Sequence, residues 1–565
     1  MANKLELTWY GKENEIKVEP RILIENTELS SKKADIKGQA TLFDLDKKEI
    51  FDNMLIHGDN LLALKALEKD YAGKIKCIYI DPPYNTGSAF EHYNDNVEHS
   101  TWLSLMKPRL ELLRSLLSDD GTIYIHIDDV ECAYLKVLCD EIFGRTNFIT
   151  TIAVKMSTPS GVKLSHRDKK ILKIKEFILV YSKNKELLTF NPQYQPKKEW
   201  DTYYEWYVDK IGEKVQDWKV YPLKDVLKKL GIENTDINNP KFKDFYLKNA
   251  DKIWQRGRNT SIPNEILQKS RDNWEQIFEY NSDGDAETQY CYKGRRMAFL
   301  SKVIQRCTNK DGSKVNDIGT LICDFWDDIS TAALFSEGKV EFPNGKKPET
   351  LIERILDLST DEGDIVLDSF LGSGSTCAVA HKMNRKWIGI EMGEHAYTHA
   401  KKRIDTVISG EDQTGISKAL NWTGGGGYKF YELAPTLIKE DAFGQEIINP
   451  EYNAEMLASA IAKHEGYTYQ PDETLFWKQS HNGKSFLFVT TNHVNSQMIE
   501  TIKADLQEDE FVLIVCKSFD NACVYEKNIA IKKIPQSLLK NCEFGRDDYS
   551  LNIICPPEYE EDCDE

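Results

Sequence analysis

The residues best suited to chemistry form one short run, Asp81-Pro82-Pro83-Tyr84, which directly follows the apolar run Cys77–Ile80. The apolar run has the length of a buried strand, and the two prolines stop the backbone from continuing as a helix or a central strand. The four residues are therefore expected at the carboxyl end of a strand, where open α/β sheets bind their ligands. Such a set can hold a planar group with an exocyclic amine. The aromatic ring stacks on its face, while the carboxylate and a prolyl-flanked carbonyl accept the amine hydrogens.

A plainer interpretation of this run is a strand that ends at prolines beside a chance tyrosine, because Asp-Pro pairs commonly begin turns. The longer string Asp81–Gly87 adds Asn85, Thr86 and Gly87 behind the apolar strand. This string is much more specific, so the chemical interpretation takes precedence.

A second set of residues forms a glycine-rich turn between an apolar strand and a helix, within Asp364–Thr376. Gly372 and Gly374 allow a tight turn and a close approach of the backbone to a ligand, but Cys377 replaces the third glycine of the dinucleotide fingerprint. Glu391 ends the next strand nineteen residues after Gly372, the usual distance for an acid that accepts ribose hydroxyls. The pattern favours a nucleoside without a pyrophosphate, such as S-adenosylmethionine. A purely structural glycine turn is the alternative.

Asp59 has two interpretations. Met54–Asn60 is predicted to be a short strand ending in a turn, and Leu61–Leu67 has helical spacing. Asp59 either caps that helix or lies at the strand end near the adenine of a cofactor.

These residues are positioned by alternating strands and helices, the signature of a parallel sheet with right-handed crossovers. The further predicted elements are helices over Trp102–Leu117, Glu131–Phe143 and Pro348–Leu358, and strands over Gly121–Asp129, Ile174–Lys183, Lys386–Glu391, Ser485–Thr490 and Phe511–Val515. If the strands before Asp81 and before Gly372 share one sheet, they meet at its topological switch point and the two sites face each other.

The charge distribution leaves room for a nucleic-acid partner although the formal net charge is −18. Eleven Lys and Arg residues accompany three acids between Lys155 and Lys198, whereas Glu558–Glu565 carries six acids and no base. Farther along, aromatic residues multiply beside the basic clusters Arg256-Gly257-Arg258 and Lys293–Arg296. This combination suits contacts to phosphates and bases. An ordinary α/β insertion with a solvated basic face is the alternative.

Other features exclude several classes of protein. A length of 565 residues predicts two to four domains, and no apolar stretch is long enough to span a bilayer. Met1–Glu6 lacks the features of a signal peptide, and the twelve cysteines show neither Cys-x-x-Cys nor zinc-ligand spacing. We expect a cytoplasmic protein with reduced thiols, no membrane association and no bound metal. A phosphate-binding Gly-x-x-x-x-Gly-Lys-Ser/Thr loop is missing, so the chain is not itself an ATPase.

The order of these motifs resembles that of the circularly permuted β-class amino methyltransferases. Gly58-Asp59, Asp81–Tyr84, a basic aromatic insertion, Lys347-Pro348 and Phe370–Gly374 follow one another along the chain. A longer match resembles the modification subunit of type III restriction-modification systems. The segments that carry it are Asp81–Gly87, Trp102–Leu117, Gly121–Asp129, Ile142–Gly144, Asn147–Ile149, Val180–Asn184 and Gly424–Tyr431.

The resemblance implies a DNA adenine-N6 methyltransferase that uses S-adenosylmethionine on a base flipped out of the duplex. Tyr84 would stack on that base, while Asp81 and the Pro82 carbonyl would accept its amine hydrogens. The implied catalytic residues are Asp81, Pro82, Pro83 and Tyr84. The implied cofactor-binding residues are Asp59, Asp81, Lys347, Asp368, Phe370, Gly372, Gly374, Ser375, Thr376 and Glu391. The implied partners are double-stranded DNA, a second copy of the chain and a helicase-nuclease restriction subunit.

The predicted architecture is an α/β fold with a Rossmann-like, circularly permuted S-adenosylmethionine-dependent methyltransferase sheet. We expect an amino-terminal extension over residues 1–50, a catalytic half over 51–185, an inserted target-recognition domain over 186–325 and a cofactor-binding half over 326–435. A small α/β domain for partner docking, with the acidic tail, is expected over 436–565.

Three alternatives stay open at this point. Cytosine-N4 transfer uses the same four-residue motif. A non-catalytic DNA-recognition subunit could keep the fold for binding, although intact motifs argue against it. A nicotinamide dehydrogenase is the weakest, because the third glycine is missing.

Overall fold

The computed structural model divides into two compact units, one formed by the chain up to Asn191 and from Asp324 onward, the other by Pro192–Cys323. The residues it describes are 6–14, 16–31, 50–85, 98–157, 171–210, 214–259, 262–281, 287–309, 312–332, 334–342, 345–525, 527–534, 536–539 and 542–549. Thr86, Gly87 and the acidic segment Glu558–Glu565 lie outside these residues.

The first part of the large unit alternates strands and helices. Its elements are β1 (Leu23–Glu25), β2 (Asn53–His57), α1 (Asn60–Tyr71), β3 (Ile75–Ile80), α2 (His99–Leu116), β4 (Leu117–Ile127), α3 (Cys132–Cys139), β5 (Phe148–Lys155) and β6 (Lys175–Ser182). A π-helical turn, Asp140–Gly144, continues α3. Strand β3 ends at Ile80, as the two prolines behind Asp81 require.

The inserted unit combines short strands with three α-helices and two 3-10 turns, Val215–Asp217 and Leu300–Val303, among its described residues. Its elements are β7 (Tyr194–Pro196), β8 (Trp206–Asp209), β9 (Lys219–Pro222), α4 (Leu223–Lys229), α5 (Pro240–Lys248), β10 (Ile253–Arg256), α6 (Asn264–Asp272), β11 (Ile277–Tyr280), β12 (Gln289–Tyr292), β13 (Arg295–Phe299), β14 (Ile304–Thr308) and β15 (Lys314–Leu321). One sheet has the order β11-β12-β13-β10-β8-β9, and β14, β15 and β7 close a small barrel. Buried aromatic side chains such as Trp254, Phe242 and Tyr246 supply much of its core.

The large unit resumes with the elements around the glycine-rich turn and ends in a second sheet. The elements are β16 (Phe325–Trp326), α7 (Glu349–Ser359), β17 (Ile365–Asp368), α8 (Ser375–Lys382), β18 (Lys386–Glu391), α9 (Lys402–Ile408), β19 (Tyr428–Leu433), β20 (Ile438–Glu440), β21 (Glu446–Ile448), α10 (Ala454–Glu465), β22 (Thr468–Tyr469), β23 (Ser480–Asn482), β24 (Ser485–Val494), α11 (Ser496–Asp505), β25 (Phe511–Phe519) and β26 (Ile529–Lys533). The second sheet has the order β22-β23-β24-β25-β26.

The main sheet brings the two predicted sites together. Its strand order is β1-β19-β2-β18-β17-β3-β4-β6-β5-β16, and β3 runs parallel to β17 with Ile78 opposite Leu367. From these central strands the chain continues to β4 on one side and to β18 on the other. The ends of β3 and β17 therefore flank a topological switch point, where ligands of open α/β sheets bind. This is the arrangement that the sequence predicted for the two motifs.

The sheet differs from the sequence-based expectation in two ways. It is mixed rather than parallel, because β6 runs antiparallel to both β4 and β5. In addition, the expected amino-terminal extension contributes β1, which pairs with β19 at the edge of the main sheet. A strand of three residues has too little pattern to be recognised before its pairing partner is known.

The core of the main sheet consists of apolar strand residues covered by helices on its faces. Ile78, Ile80 and Ile125 are fully buried and pack with Leu110 and Leu113 of α2 in one cluster. A separate cluster joins α10 to the carboxyl-terminal sheet through Ile461, Leu487 and Val515. Within the described part of the chain, no helix has the length and apolarity needed to cross a membrane.

Candidate active site

Asp81 lies directly behind β3 and is bonded by two donors. Lys347 Nζ lies 2.6 Å from its Oδ2, and the Tyr84 hydroxyl donates to its Oδ1 at 2.8 Å. Lys347 precedes Pro348, the N-cap of α7, so a helix start brings this ammonium to the end of β3. Although burial lowers the pKa of Lys347, the negative charges of Asp81 and Glu176 outweigh it and raise that pKa above its ordinary value.

The Tyr84 ring is held in place at both its hydroxyl and its face. Its hydroxyl contacts Glu176 Oε2 at 3.0 Å as well as Asp81, and Lys347 Nζ lies 4.9 Å from the ring centroid. Burial and the charges of Asp81 and Glu176 raise the pKa of Tyr84 well above its usual range. The hydroxyl is thus protonated at neutral pH. Nearby, Trp102 Nε1 donates to the Pro83 carbonyl at 2.8 Å and fixes the turn between the prolines and the ring.

Two residues of this site, Glu176 and His126, were not identified from the sequence. Glu176 lies on β6 and His126 on the neighbouring β4, with His126 Nε2 2.9 Å from Glu176 Oε2. Burial raises the pKa of Glu176, but Lys347 and His126 overcome that effect and hold the pKa well below its ordinary value. In the sequence, Glu176 is an acid within a basic stretch at the start of a predicted strand. An isolated acid at that position could have indicated a functional residue.

Glu131 is a further missed residue, and it anchors the backbone behind Tyr84. Asn85 adopts a left-handed conformation with φ of 58° and donates to Glu131 Oε1 at 2.6 Å. His99 Nδ1 lies 2.6 Å from the same oxygen. Asn tolerates a positive φ better than other side chains, so the Asn that follows Tyr84 suits the turn.

The glycine-rich turn after β17 has the geometry that its sequence predicts. Gly372 and Gly374 have φ of 55° and 82°, values that L side chains rarely adopt. A Cβ at Gly374 would lie 3.1 Å from the Ala400 Cα, whereas a Cβ at Gly372 would approach Phe342 only to 3.8 Å. Gly374 is therefore required for packing, while Gly372 leaves space beside the turn.

Asp368, at the end of β17, holds this turn from inside. Its carboxylate accepts the Phe370 N–H at 2.9 Å and the Thr376 hydroxyl at 2.6 Å. Burial raises the pKa of Asp368 to about 7, although these hydrogen bonds favour the charged form. The turn is thus closed by hydrogen bonds to a buried carboxyl group.

Glu391, at the end of β18, faces the same turn. Its carboxylate accepts the Gly372 N–H at 2.6 Å and the Gly393 N–H at 3.1 Å, and His395 Nε2 lies 2.8 Å away. Burial alone would raise the pKa of Glu391, but His395 and the two backbone donors lower it. The carboxylate is therefore ionised and remains an acceptor at neutral pH.

Ser375 connects the turn to a buried network of charges. Arg403 Nη1 donates to the Ser375 hydroxyl at 2.7 Å, and Arg403 Nη2 lies 2.8 Å from Glu349 Oε1. Lys382 Nζ contacts Glu349 and Asp412, each at 2.7 Å. Since Glu349 begins α7 and Lys382 ends α8, the network ties the helix behind Lys347 to the helix behind the turn.

The structure accounts for Asp59 as a helix cap. One carboxylate oxygen accepts the N–H groups of Leu61 and Leu62, and the other lies 3.3 Å from Arg109 Nη2 and accepts the Tyr549 N–H. Within the described part of the chain these partners do not include Asp81, so Asp59 makes no direct contact with that cluster. Its predicted cofactor role stays a prediction.

The surroundings of the turn are compatible with a nucleoside ligand. Ser369 is buried, yet its hydroxyl makes no hydrogen bond within the described part of the chain. A missing partner of this kind indicates an unfilled polar site or an ordered water. Together with the space at Gly372 and the ionised Glu391, it fits a ligand that carries both donors and acceptors.

Comparisons with known proteins agree with this geometry. A family model described as DNA methylase, covering N6 and N4 methyltransferases, matches residues 75–402. The chain is 40% identical over 421 residues to the probable type III restriction-modification enzyme HindVI Mod subunit of Haemophilus influenzae, which covers 68% of this chain and 54% of the relative. The chain thus spans about half the length of that relative.

Two other relatives align over longer or similar stretches. Type II methyltransferase M.EcaI of Enterobacter cloacae is 30% identical over 369 residues, covering 64% of this chain and 71% of its own. The EcoP15I Mod subunit of Escherichia coli, from a type III restriction-modification enzyme, is 24% identical over 572 residues. The match covers 85% of this chain and 83% of that subunit. Because the family model spans more than half of the chain and includes both Asp81–Tyr84 and the glycine-rich turn, the protein belongs to the DNA methylase family of N6 and N4 methyltransferases.

Proposed function

We propose that this protein transfers a methyl group from S-adenosylmethionine to the N6 amine of adenine in double-stranded DNA. The observation that carries the proposal is the meeting of two sites at one switch point. Asp81–Tyr84 follows β3, the glycine-rich turn follows the adjacent β17, and Lys347 Nζ reaches Asp81 at 2.6 Å. A ligand held at the turn would thus face a base held by Asp81 and Tyr84.

The side chains around Asp81 supply the acceptor half of the reaction. The lone pair of an adenine N6 is delocalised into the ring, so the amine is a poor nucleophile. Asp81 and the Pro82 carbonyl would accept the two amine hydrogens and direct the lone pair toward the methyl group, while Tyr84 stacks on the base. Alignment of the reacting atoms then supplies much of the acceleration.

Residues around the turn would hold the cofactor. S-adenosylmethionine supplies an electrophilic methyl group on its sulfonium. Glu391 suits the ribose hydroxyls, and Lys347 suits an anionic group at the other end. The remaining proposed binding residues are Asp368, Phe370, Gly372, Gly374, Ser375 and Thr376. No covalent enzyme nucleophile is needed, because the amine nitrogen would take the methyl group directly. The S–CH3 bond would break to leave a neutral thioether, and the surplus amine proton would pass by way of Asp81 to solvent.

The inserted unit is the proposed target-recognition domain. Trp274 and Tyr203 expose large aromatic surfaces, and the Arg256 guanidinium lies 5.2 Å from the Trp206 ring centroid. Exposed aromatic and basic side chains together suit contacts to bases and phosphates. A target adenine has to leave the duplex before it can stack on the half-buried ring of Tyr84.

The partners are proposed from the relatives. HindVI and EcoP15I are named as Mod subunits of type III restriction-modification enzymes. By this likeness the chain would modify one specific DNA sequence in the cytoplasm, act as a homodimer and assemble with a restriction subunit. The sheet β22-β23-β24-β25-β26 is the proposed docking domain for those partners.

Sequencing of modified bases in a plasmid tests the function. The plasmid is grown with this protein in a host that lacks DNA methylation, and an Asp81→Ala variant serves as the control. N6-methyladenine at one short asymmetric sequence, on one strand, would support the base, the chemistry and the subunit type together. Detection of N4-methylcytosine instead would show that cytosine, not adenine, is the substrate. An unmodified plasmid, with or without a co-expressed restriction subunit, would contradict the proposal.

A further inference from the structure

Asp81 is hydrogen-bonded by two of the protein's own donors. Its Oδ2 lies 2.6 Å from Lys347 Nζ, and its Oδ1 accepts the Tyr84 hydroxyl at 2.8 Å. A carboxylate oxygen can accept more than one hydrogen bond. The Lys347 ammonium nevertheless neutralises part of the negative charge of Asp81. A neutral amine would then form a weaker hydrogen bond to this carboxylate, because the bond depends on that charge. Asp81 would therefore capture an amine more effectively if Lys347 turned toward another acceptor.

Glu176 contacts both donors that engage Asp81. Its Oε2 lies 3.0 Å from the Tyr84 hydroxyl and 3.9 Å from Lys347 Nζ. The second distance is about 1 Å longer than a charge-assisted hydrogen bond. A lysine side chain has enough rotatable bonds to close such a gap without any backbone movement.

His126 lies beside Glu176 and is itself contacted by Tyr79. His126 is fully buried, with Nε2 2.9 Å from Glu176 Oε2 and Nδ1 2.8 Å from the Tyr79 hydroxyl. Both residues lie on adjacent central strands, β3 and β4, whose positions are set by the sheet. One oxygen of Glu176, Oε2, thus lies near His126, the Tyr84 hydroxyl and Lys347 Nζ at the same time.

We propose that Glu176 is a positioning residue for the methyl transfer and that it takes Lys347 from Asp81 when the target base enters. This inference rests on the proposed function. Lys347 would then pair with Glu176 rather than with Asp81, which leaves Asp81 Oδ2 to the amine. The Tyr84 hydroxyl, already shared by both carboxylates, keeps the ring in place during the exchange.

The primary test is Glu176→Gln, which keeps the shape of the side chain and removes its charge. The full-length protein is assayed in a single turnover with saturating S-adenosylmethionine and a duplex that carries the recognition sequence. We expect methyl transfer to slow by about 10- to 100-fold, the loss expected from misplaced reacting groups. The dissociation constants for cofactor and DNA should stay within about threefold. Glu186→Gln changes an exposed acid four residues after the end of β6. This variant is the matched control and should retain the wild-type rate.

A double-mutant cycle separates this role from a general structural one. Because Lys347 is also a proposed cofactor contact, the Lys347→Met protein is assayed at an S-adenosylmethionine concentration that saturates this variant. If Glu176 acts by drawing Lys347 away, Glu176→Gln should slow that protein by less than about threefold, since there is no ion pair left to break. A purely structural role would cost the full factor in both backgrounds and would overturn the inference.

Two further measurements keep the test decisive. Should Glu176→Gln lose cooperative unfolding, Glu176→Asp replaces it. The shorter acid keeps a charge for Lys347 and is expected to retain at least about a tenth of the wild-type rate, and a complete loss would contradict the inference.

An active wild type with an equally active Glu176→Gln contradicts this inference alone. A wild type that transfers no methyl group contradicts the proposed function and, with it, this inference.

Discussion

Lys347 Nζ and Asp81 Oδ2 lie 2.6 Å apart although the two residues are separated by 266 positions in the chain. The ion pair joins the start of α7 to the end of β3, and so it joins the part of the chain before the inserted unit to the part after it. Both side chains are largely buried. The contact can form because β17, which follows α7, lies beside β3 in the sheet. The acceptor site and the proposed cofactor site are consequently one structure.

Asp81→Asn should abolish methyl transfer while sparing cofactor binding. The asparagine side chain has one uncharged acceptor oxygen, so it cannot accept hydrogen bonds from both the amine of the base and the Tyr84 hydroxyl as a carboxylate does. We therefore expect the single-turnover rate to fall by at least about 100-fold. Calorimetry should show a dissociation constant for S-adenosylmethionine within about threefold of the wild type. Asp70→Asn, at an exposed acid, is the control. A rate for Asp81→Asn equal to that of the control would refute the assignment.

Tyr84 offers a way to separate stacking from hydrogen bonding. Tyr84→Phe keeps the ring and loses the contacts to Asp81 and Glu176, so a loss of about 10-fold in rate is expected with little change in DNA affinity. Tyr84→Ala should also lose stacking, which contributes about 1–3 kcal/mol per base. Fluorescence of 2-aminopurine at the target position of the DNA measures base stacking in the complex with each variant, and a single-turnover assay measures the rate. Equal effects of Phe and Ala would show that the ring itself does not contact the base.

The two glycines of the turn should respond differently to alanine. Gly374→Ala meets both a positive φ and the Ala400 Cα at 3.1 Å, so we expect a loss of roughly 2 kcal/mol or more in the free energy of unfolding. Gly363→Ala has a similar φ and nothing within 4 Å, so it should cost only about 1 kcal/mol. Denaturant unfolding compares the two. Gly372→Ala should instead weaken cofactor binding, because its Cβ would occupy the space beside the turn.

His381 should make the stability of the protein fall in acid. Trp387 Nε1 donates to its Nδ1 at 3.1 Å and its Nε2 lies 2.8 Å from the Gly425 carbonyl, so the ring is neutral with the proton on Nε2. Burial lowers the pKa of His381 to about 4. The unfolded state, with a pKa near 6.5, then binds more protons than the folded state between these values.

The resulting stabilisation is fully present above about pH 6.5 and is lost as the pH falls toward 4, by an amount of about 3 kcal/mol. Denaturant unfolding from pH 8 to pH 4.5 measures this slope. His381→Gln should show a shallower dependence on pH, since the variant has no ring to protonate. An unchanged slope would mean that other groups dominate the acid response.

Sequence patterns identified the local parts of this protein because those parts depend on neighbours in the chain. The prolines behind Asp81 and the glycines at 372 and 374 act on their own backbone, so the strand ends and the turn could be predicted. Element boundaries were less accurate. Helix α2 begins at His99, capped by Glu98, three residues before the predicted start at Trp102.

The tertiary structure decided which side chains meet. Glu176 reaches Tyr84 because β6 lies antiparallel beside β4, with Phe177 opposite Ile127 in that register. A shift of one residue in such pairing would send every side chain of the strand to the other face of the sheet. The sequence by itself thus determined which residues could capture an amine and where a nucleoside could bind. Their assembly into one site, with Glu176, Glu131 and His126, depended on strand order and register, because these are set by packing between segments far apart in the chain.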